Sequence, residues 1–215
     1  MDIKNNNFKK KIQYNACILC IICIFFSGII SIIYTITQEK IRKELISKKK
    51  HIFSKIIPLK YLDNNFEKNC YKLNIDIKKN IINIKINSVY LAKNKNKIIA
   101  FIIESTTYNG YGGPIQLMIA IDIFGKILGI HIIEHHETPG LGDKIDIKIS
   151  NWITQFINKK NIKKWKVKQQ NREFTQITGA TITTKAVLNV IQESLSFIQK
   201  NYKKIPLSQK CNSEL

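Results

Sequence analysis

Apolar positions follow three rhythms along this chain, and each predicts a different kind of element. From residue 12 to residue 38 there is no charged side chain, and residues 16–36 are almost wholly apolar. As a helix that stretch reaches about 32 Å, enough to cross the hydrocarbon core of a bilayer. A second rhythm, with steps of three and four, runs through Val187, Val190, Ile191, Leu195 and Ile198 and predicts an amphipathic helix over 184–200. The same spacing at Ile145, Ile149, Trp152, Ile153 and Phe156 predicts another over 145–158. The third rhythm is that of short alternating or apolar runs at 81–91, 98–105, 115–123 and 127–133, which predict a four-stranded antiparallel meander. Turns at Lys93-Asn94-Lys95-Asn96-Lys97 and Phe124-Gly125-Lys126 divide its hairpins.

The remaining segments are less periodic. Residues 39–55 are charged and read as a stalk that continues the first helix as far as Pro58, and the region 45–80 shows no motif. Residues 165–167 suit a short strand, 171–176 a loop, and the polar stretch beyond 200 a frayed tail. The pattern is that of an α+β chain in which a transmembrane helix precedes an antiparallel sheet packed by helices. Its expected segments are a cytoplasmic tail (1–13), a membrane span (14–37), a stalk and entry segment (38–80), a folded domain (81–202) and a second tail (203–215).

A basic Lys9-Lys10-Lys11 precedes the apolar run, as in a signal peptide, but the cores of signal peptides are usually only about 7 to 15 residues long. Only Thr35-Ile36-Thr37 offers a weak cleavage site, so a retained anchor is expected. Lys and Arg flank both ends of the span. A short basic tail tends to stay inside while a long following domain crosses largely regardless of charge, which puts the folded domain outside the cytoplasm.

The net charge of +20, from 35 Lys plus Arg against 15 Asp plus Glu, would ordinarily raise nucleic acid as a partner. Arg42 and Arg172 are the only arginines, however, and the lysines are scattered among Asn and Ile without forming a stripe. Base-edge and bidentate phosphate readers lean on Arg, so no nucleic acid is expected. Cys17, Cys20 and Cys23 lie inside the apolar span, where packing suits them better than charged metal-binding thiolates. Cys70 and Cys211 remain, and the sequence leaves open whether they pair.

The candidate chemistry lies in two turns. Thr178-Gly179-Ala180-Thr181-Ile182-Thr183-Thr184 sets hydroxyls and one glycine at the start of a helix, where unpaired N–H groups and the positive end of the macrodipole favour a phosphate. The plainer alternative makes Thr181, Thr183 or Thr184 an N-cap. Upstream stands Glu134-His135-His136-Glu137-Thr138-Pro139-Gly140-Leu141-Gly142-Asp143-Lys144. Adjacent histidines at a strand end point to opposite faces and no further ligand follows at helical spacing, so no metal site is expected. Its Pro-Gly-Leu-Gly portion reads as a tight loop with exposed backbone N–H groups, fit to lie against a planar ring with Leu141 packed on one face, or else as an ordinary turn into a helix. Gly110-Tyr111-Gly112-Gly113-Pro114 lacks the spacing of a nucleotide loop and reads as a bend between strands.

The segment Thr178-Gly179-Ala180-Thr181-Ile182-Thr183 resembles the flavinylation signature Ser/Thr-Gly-Ala-Thr-x-Ser/Thr. That signature belongs to the FMN-binding domain of the G subunit of Rnf (Rsx) electron transport complexes and of the C subunit of sodium-pumping NADH:quinone reductase. Gly110-Tyr111 through Leu117, and then Glu134 through Ile145, are similar to the Rnf G subunit in the same order, so the resemblance spans about 108–198. The run His135-His136-Glu137-Thr138-Pro139-Gly140-Leu141-Gly142 points to the Rnf branch. The Lys and Asn richness departs from the family's usual balance, and the region 45–80 carries no motif of it.

The resemblance implies FMN esterified through its phosphate to Thr181, with Thr178, Gly179, Ala180 and Thr184 around the attachment point. Thr138, Gly140, Leu141 and Gly142 are further cofactor contacts on this reading; no catalytic residue and no metal ligand is implied. The resemblance also implies a flavin transferase using FAD and magnesium to make the link; in the sequence itself no His-Asp pair adjoins Thr181 to activate its hydroxyl. The chain would then be a single-pass inner-membrane subunit with its domain on the periplasmic side. It would relay electrons among other subunits of an ion-translocating complex and have no turnover of its own. The contrasting reading is an anchored extracytoplasmic binding or scaffold domain without flavin.

Overall fold

A computed structural model describes residues 3–57, 69–79, 82–94, 97–160 and 174–211. By internal contacts the chain divides into two compact units, residues 1–48 and 49–215. Helix α1 runs over Ile3–Ile56. Its apolar stretch presents Ile18, Ile24, Phe25, Ile30 and Ile36 outward, and it is long and apolar enough to cross a membrane. Hydroxyls in that stretch return to the helix itself: Ser27 donates to the carbonyl of Ile24, Thr35 to that of Ile32 and Thr37 to that of Ile33. Such bonds leave no hydroxyl proton to be satisfied by water.

The second unit is built on a five-stranded antiparallel sheet in sequence order: β1 (Cys70–Lys79), β2 (Ile82–Asn94), β3 (Lys97–Thr107), β4 (Ile115–Asp122) and β5 (Ile127–Glu134). The last four are the strands that the alternation predicts. β1 is additional, and its signal is broken by a register shift between Lys72 and Ile75, with Asn74 at φ +44°. The tail read as frayed is instead built into the domain. Residue Ile205 is buried, and the Lys72 N–H donates to the carbonyl of Gln209 while the Cys211 N–H donates to that of Cys70. A Cys70–Cys211 disulfide joins the two segments, so the outer edge of β1 is covered at residues 70–72, where an open edge would invite pairing with another chain.

Alternation along the strands gives the sheet two apolar faces. Phe101, Ile103, Leu117, Ile119, Ile121, Ile130 and Ile132 belong to a core shared with Val187, Val190, Ile191 and Leu195 of helix α2 (Thr181–Asn201). Each such side chain stabilises the fold by about 1.5–3 kcal/mol when fully buried. A buried pair of hydroxyls, Ser105 on β3 and Ser194 on α2, lies 3.0 Å apart and fixes the helix over the sheet. On the opposite face, Tyr90, Ala92, Ala100, Ile102, Met118 and Ala120 pack on Phe53, Ile56 and Ile57. Gly129 lets that segment approach, because a Cβ there would stand 2.6 Å from Ile56 Cγ2.

The predicted helix over 145–158 is not one helix but two 3-10 turns, Gly142–Ile145 and Asn151–Phe156. Side chains interrupt it. Asp146 accepts from the Lys148 N–H and Ser150, in extended conformation, accepts from the Trp152 N–H, so both offer the backbone an alternative to helical bonding. The predicted strand at 165–167, the loop residues 171–173 and Pro58 lie outside the described residues.

Candidate functional site

The turn before α2 closes on itself, the Ala180 N–H donating to the carbonyl of Ile177 at 3.0 Å, with Gly179 at φ +81°. That left-handed conformation is natural for glycine and strained for other residues. α2 therefore starts earlier than its apolar spacing predicts, at Thr181, and its N-cap is Ala180, which has no side chain to cap with. The N-cap alternative for the threonines is thus overturned. Thr184 instead donates its hydroxyl to the carbonyl of Ala180 at 2.8 Å, and Thr183 donates to Glu137 Oε2 at 2.5 Å. Thr178 and Thr181 are exposed. The opening N–H groups of α2 have no intrahelical acceptor, and among the described residues no side chain caps them.

The Pro-Gly-Leu-Gly loop lies against this helix start. A Cβ on Gly179 would stand 2.9 Å from Leu141 Cδ2, and one on Gly142 would stand 3.1 Å from Thr183 Oγ1. Leu141 is 42% exposed, so one side of it covers Gly179 while the rest faces outward. The expectation of free backbone donors here is corrected. The Gly140 N–H donates to Asp143 Oδ2 at 2.9 Å, and the Leu141 and Asp143 N–H groups both donate to the carbonyl of Thr138. Closing so tight a turn engages the N–H groups of Gly140, Leu141 and Asp143, which the composition suggests are free. Among the described residues the buried Asp143 Oδ1 has no hydrogen-bond partner.

The structure thus brings Thr178, Gly179, Ala180, Thr181 and Thr184 together with Thr138, Gly140, Leu141 and Gly142. It adds Glu137, which the sequence gives no role at the site beyond its place in the His135–Gly142 run. Glu137 is 5% exposed, and its Oε1 accepts from the Gly112 N–H at 3.1 Å while Oε2 accepts from Thr183. The bend at residues 110–114 is accordingly packed against residues 136 and 137. A Cβ on Gly112 would overlap the carbonyl of His136, and one on Gly110 would stand 2.7 Å from Glu137 Oε1. The clustering of glycines around one acidic residue is a signal for this packing, but its partners lie 25 and 46 positions away.

A brace stands behind the turn. Trp152 Nε1 donates to the carbonyl of Thr175 at 2.7 Å, Gln155 Oε1 accepts from the Thr175 N–H at 2.9 Å, and Phe156 stacks on Phe174 at 4.9 Å. His135 is engaged locally, its Nδ1 accepting from the Glu137 N–H, and His136 is exposed. Chemically, the site offers an exposed hydroxyl at Thr181, an apolar side chain at Leu141 and, as far as the described residues go, uncapped N–H groups for an anion and an unpartnered carboxylate oxygen on Asp143.

A family model described as an FMN-binding domain matches residues 110–196. The G subunit of the ion-translocating oxidoreductase complex of Photorhabdus laumondii is 36% identical over 185 residues, covering 84% of this chain and 87% of the relative. The corresponding G subunit of Haemophilus influenzae (strain PittEE) is 39% identical over 173 residues, covering 79% and 81%. That of Buchnera aphidicola subsp. Baizongia pistaciae is 39% identical over 202 residues, covering 92% of each.

Proposed function

This chain belongs to the family of G subunits of ion-translocating oxidoreductase complexes and contains an FMN-binding domain, and on that footing we propose that it is a membrane-anchored flavoprotein subunit whose FMN is esterified to Thr181. One observation carries the reading. The first turn of α2 combines the exposed Thr181 with N–H groups that no side chain among the described residues caps. A phosphodiester at that oxygen would keep one negative charge, which the helix dipole favours by about 0.3–1 kcal/mol when exposed.

The surrounding residues suit the rest of the cofactor. Leu141 offers an apolar surface to a planar ring, and Gly179, lacking a Cβ, lets Leu141 lie against the turn before Thr181. Asp143 Oδ1 is an acceptor in want of a hydroxyl or N–H donor. When bound, FMN supplies one- and two-electron redox chemistry, and the protein supplies its position and surroundings. Covalent attachment fixes the local concentration of the flavin, which matters where no flavin pool would refill an empty site.

Attachment requires a separate flavin transferase acting on FAD. Thr181 Oγ forms a bond to the phosphorus of the FMN half, the anhydride bond breaks, AMP departs and the hydroxyl proton is released. On this reading the chain relays electrons between partner subunits from the outer side of the inner membrane. Coupling to ion movement belongs to the assembled complex, and the chain alone turns over no substrate. The Cys70–Cys211 disulfide supports an oxidising compartment for the domain.

The test is denaturing gel fluorescence of the full chain made together with the transferase. A flavin-like band that survives boiling and is absent in Thr181→Ala is expected, with an FMN-sized mass increment on the peptide containing Thr181. A dark, unmodified chain in cells that possess the transferase would overturn the proposal.

A further inference from the structure

Glu137 is a buried carboxylate with no basic partner among the described residues, held by one N–H and one O–H. Burying such a charge is costly unless its hydrogen bonds are well made, and bonds to an ionised acceptor are the stronger kind. The fold spends three small residues on this arrangement. Gly110 and Gly142 bring backbone directly against the carboxylate, where a Cβ would stand 2.7 Å from Oε1 and 2.6 Å from Oε2 respectively, and Gly112 brings its N–H to Oε1. Through these contacts one side chain joins the 110–114 bend, the Pro-Gly-Leu-Gly loop and the first turn of α2.

We infer that Glu137 is a positioning residue of the attachment site. Its carboxylate ties the 110–114 bend to Thr183, and so fixes the first turn of α2 with Thr181 presented outward. Thr183 faces inward to Glu137 and Thr181, two positions earlier on the helix, is exposed, so holding the one sets the direction of the other. The inference rests on the reading of Thr181 as the flavin acceptor. It adds that acceptance depends on a hydrogen-bonded clamp made by a residue that does not touch the reacting oxygen.

Substitutions separate the clamp from simple packing. In Glu137→Gln the amide oxygen still accepts from the Gly112 N–H and the amide N–H donates to the Thr183 oxygen, so the tie is kept without the charge. Glu137→Leu fills the same space and makes neither bond. Thr183→Val retains shape and removes one hydroxyl, and serves if Glu137→Leu fails to fold.

The experiment uses the full chain and two readouts: the rate of flavin incorporation by the transferase, and amide hydrogen exchange of the unmodified Thr181→Ala chain carrying the same changes. Incorporation is expected to fall about tenfold or more in Glu137→Leu and Thr183→Val and to stay within about threefold in Glu137→Gln, as loss of one or two buried hydrogen bonds predicts. Exchange is expected to rise about tenfold for peptides covering 108–116 and 178–186, and to be unchanged in β3 and β4. Incorporation at the parent rate in Glu137→Leu would overturn the inference, whether or not exchange rises. Loss in Glu137→Gln equal to that in Glu137→Leu would also overturn it, by showing that charge and not the tie matters. If the parent chain takes up no flavin, the acceptor reading fails by itself, and unchanged exchange in Glu137→Leu would then sink the clamp separately.

Discussion

Leu141 and Gly179 meet across the two turns of the site, Leu141 Cδ2 lying 2.9 Å from where a Gly179 Cβ would be. Gly179 is also at φ +81°, so an alanine there meets two separate penalties, one from its own backbone and one from its neighbour. A non-glycine residue in that region costs on the order of 1–3 kcal/mol, and the contact adds to it. Gly179→Ala is expected to lower flavin incorporation at Thr181 at least tenfold while the sheet keeps its thermal transition within a few degrees. The double variant Gly179→Ala/Leu141→Ala should recover the steric part alone. Incorporation rates and melting of the three variants check this, and full recovery in the double variant would show that backbone strain contributes nothing.

That contact illustrates how much of the site the sequence holds. The two turns can be found because each is a local composition of Gly, Pro and Thr, and α2 and strands β2 to β5 because their periodicities are local too. What the sequence lacks is the destination of each polar group. The threonines qualify as N-caps by type, yet Thr183 turns to Glu137 and Thr184 bonds the carbonyl of Ala180, leaving Ala180 at the cap. The loop of 138–143 looks rich in free donors, yet Asp143 and the Thr138 carbonyl take those of Gly140, Leu141 and Asp143. The apolar spacing from Ile145 to Phe156 fits a helix as well as two 3-10 turns, and the Asp146 and Ser150 side chains decide for the turns. β1 escapes notice because a bulge at Asn74 interrupts its alternation.

His131, on β5 opposite Met118, makes the stability of the domain depend on pH. It is 8% exposed, and burial holds its pKa below the ordinary histidine value; Asp146 opposes this, while Lys148, Lys55 and His51 add to it. In the unfolded chain the imidazole takes a proton near pH 6.5. The unfolded state therefore binds more protons than the folded state just below that pH, and stability falls as the solution is acidified. The contribution is whole above about pH 6.5 and is lost as pH drops through the lower folded value. Urea unfolding of the chain in detergent, followed by tryptophan fluorescence, should show a midpoint that declines from pH 7 to pH 5.5. His131→Leu should flatten that decline, and an unaltered slope would mean that other groups carry it.

The last prediction concerns the Cys70–Cys211 disulfide, which spans 141 positions and holds the 209–211 segment along β1. A cross-link that closes so long a loop restricts the unfolded chain severely, and native disulfides typically contribute about 2–4 kcal/mol. For a chain of this size that corresponds to a loss of roughly 5–15 °C in melting temperature on reduction or in Cys211→Ser. The damage should be directional. Release of 209–211 exposes the outer edge of β1, so amides of β1 should gain exchange before those of β3 and β4, and the variant should aggregate more readily. The same bond reports on location, because structural disulfides persist in oxidising compartments and are rare in the reducing cytosol. Alkylation of the rapidly denatured chain without reductant should mark only Cys17, Cys20 and Cys23, and all five cysteines after reduction. Five marked thiols before reduction would place the domain in a reducing compartment, and with it would fall the proposal that the flavin sits on the outer side of the membrane.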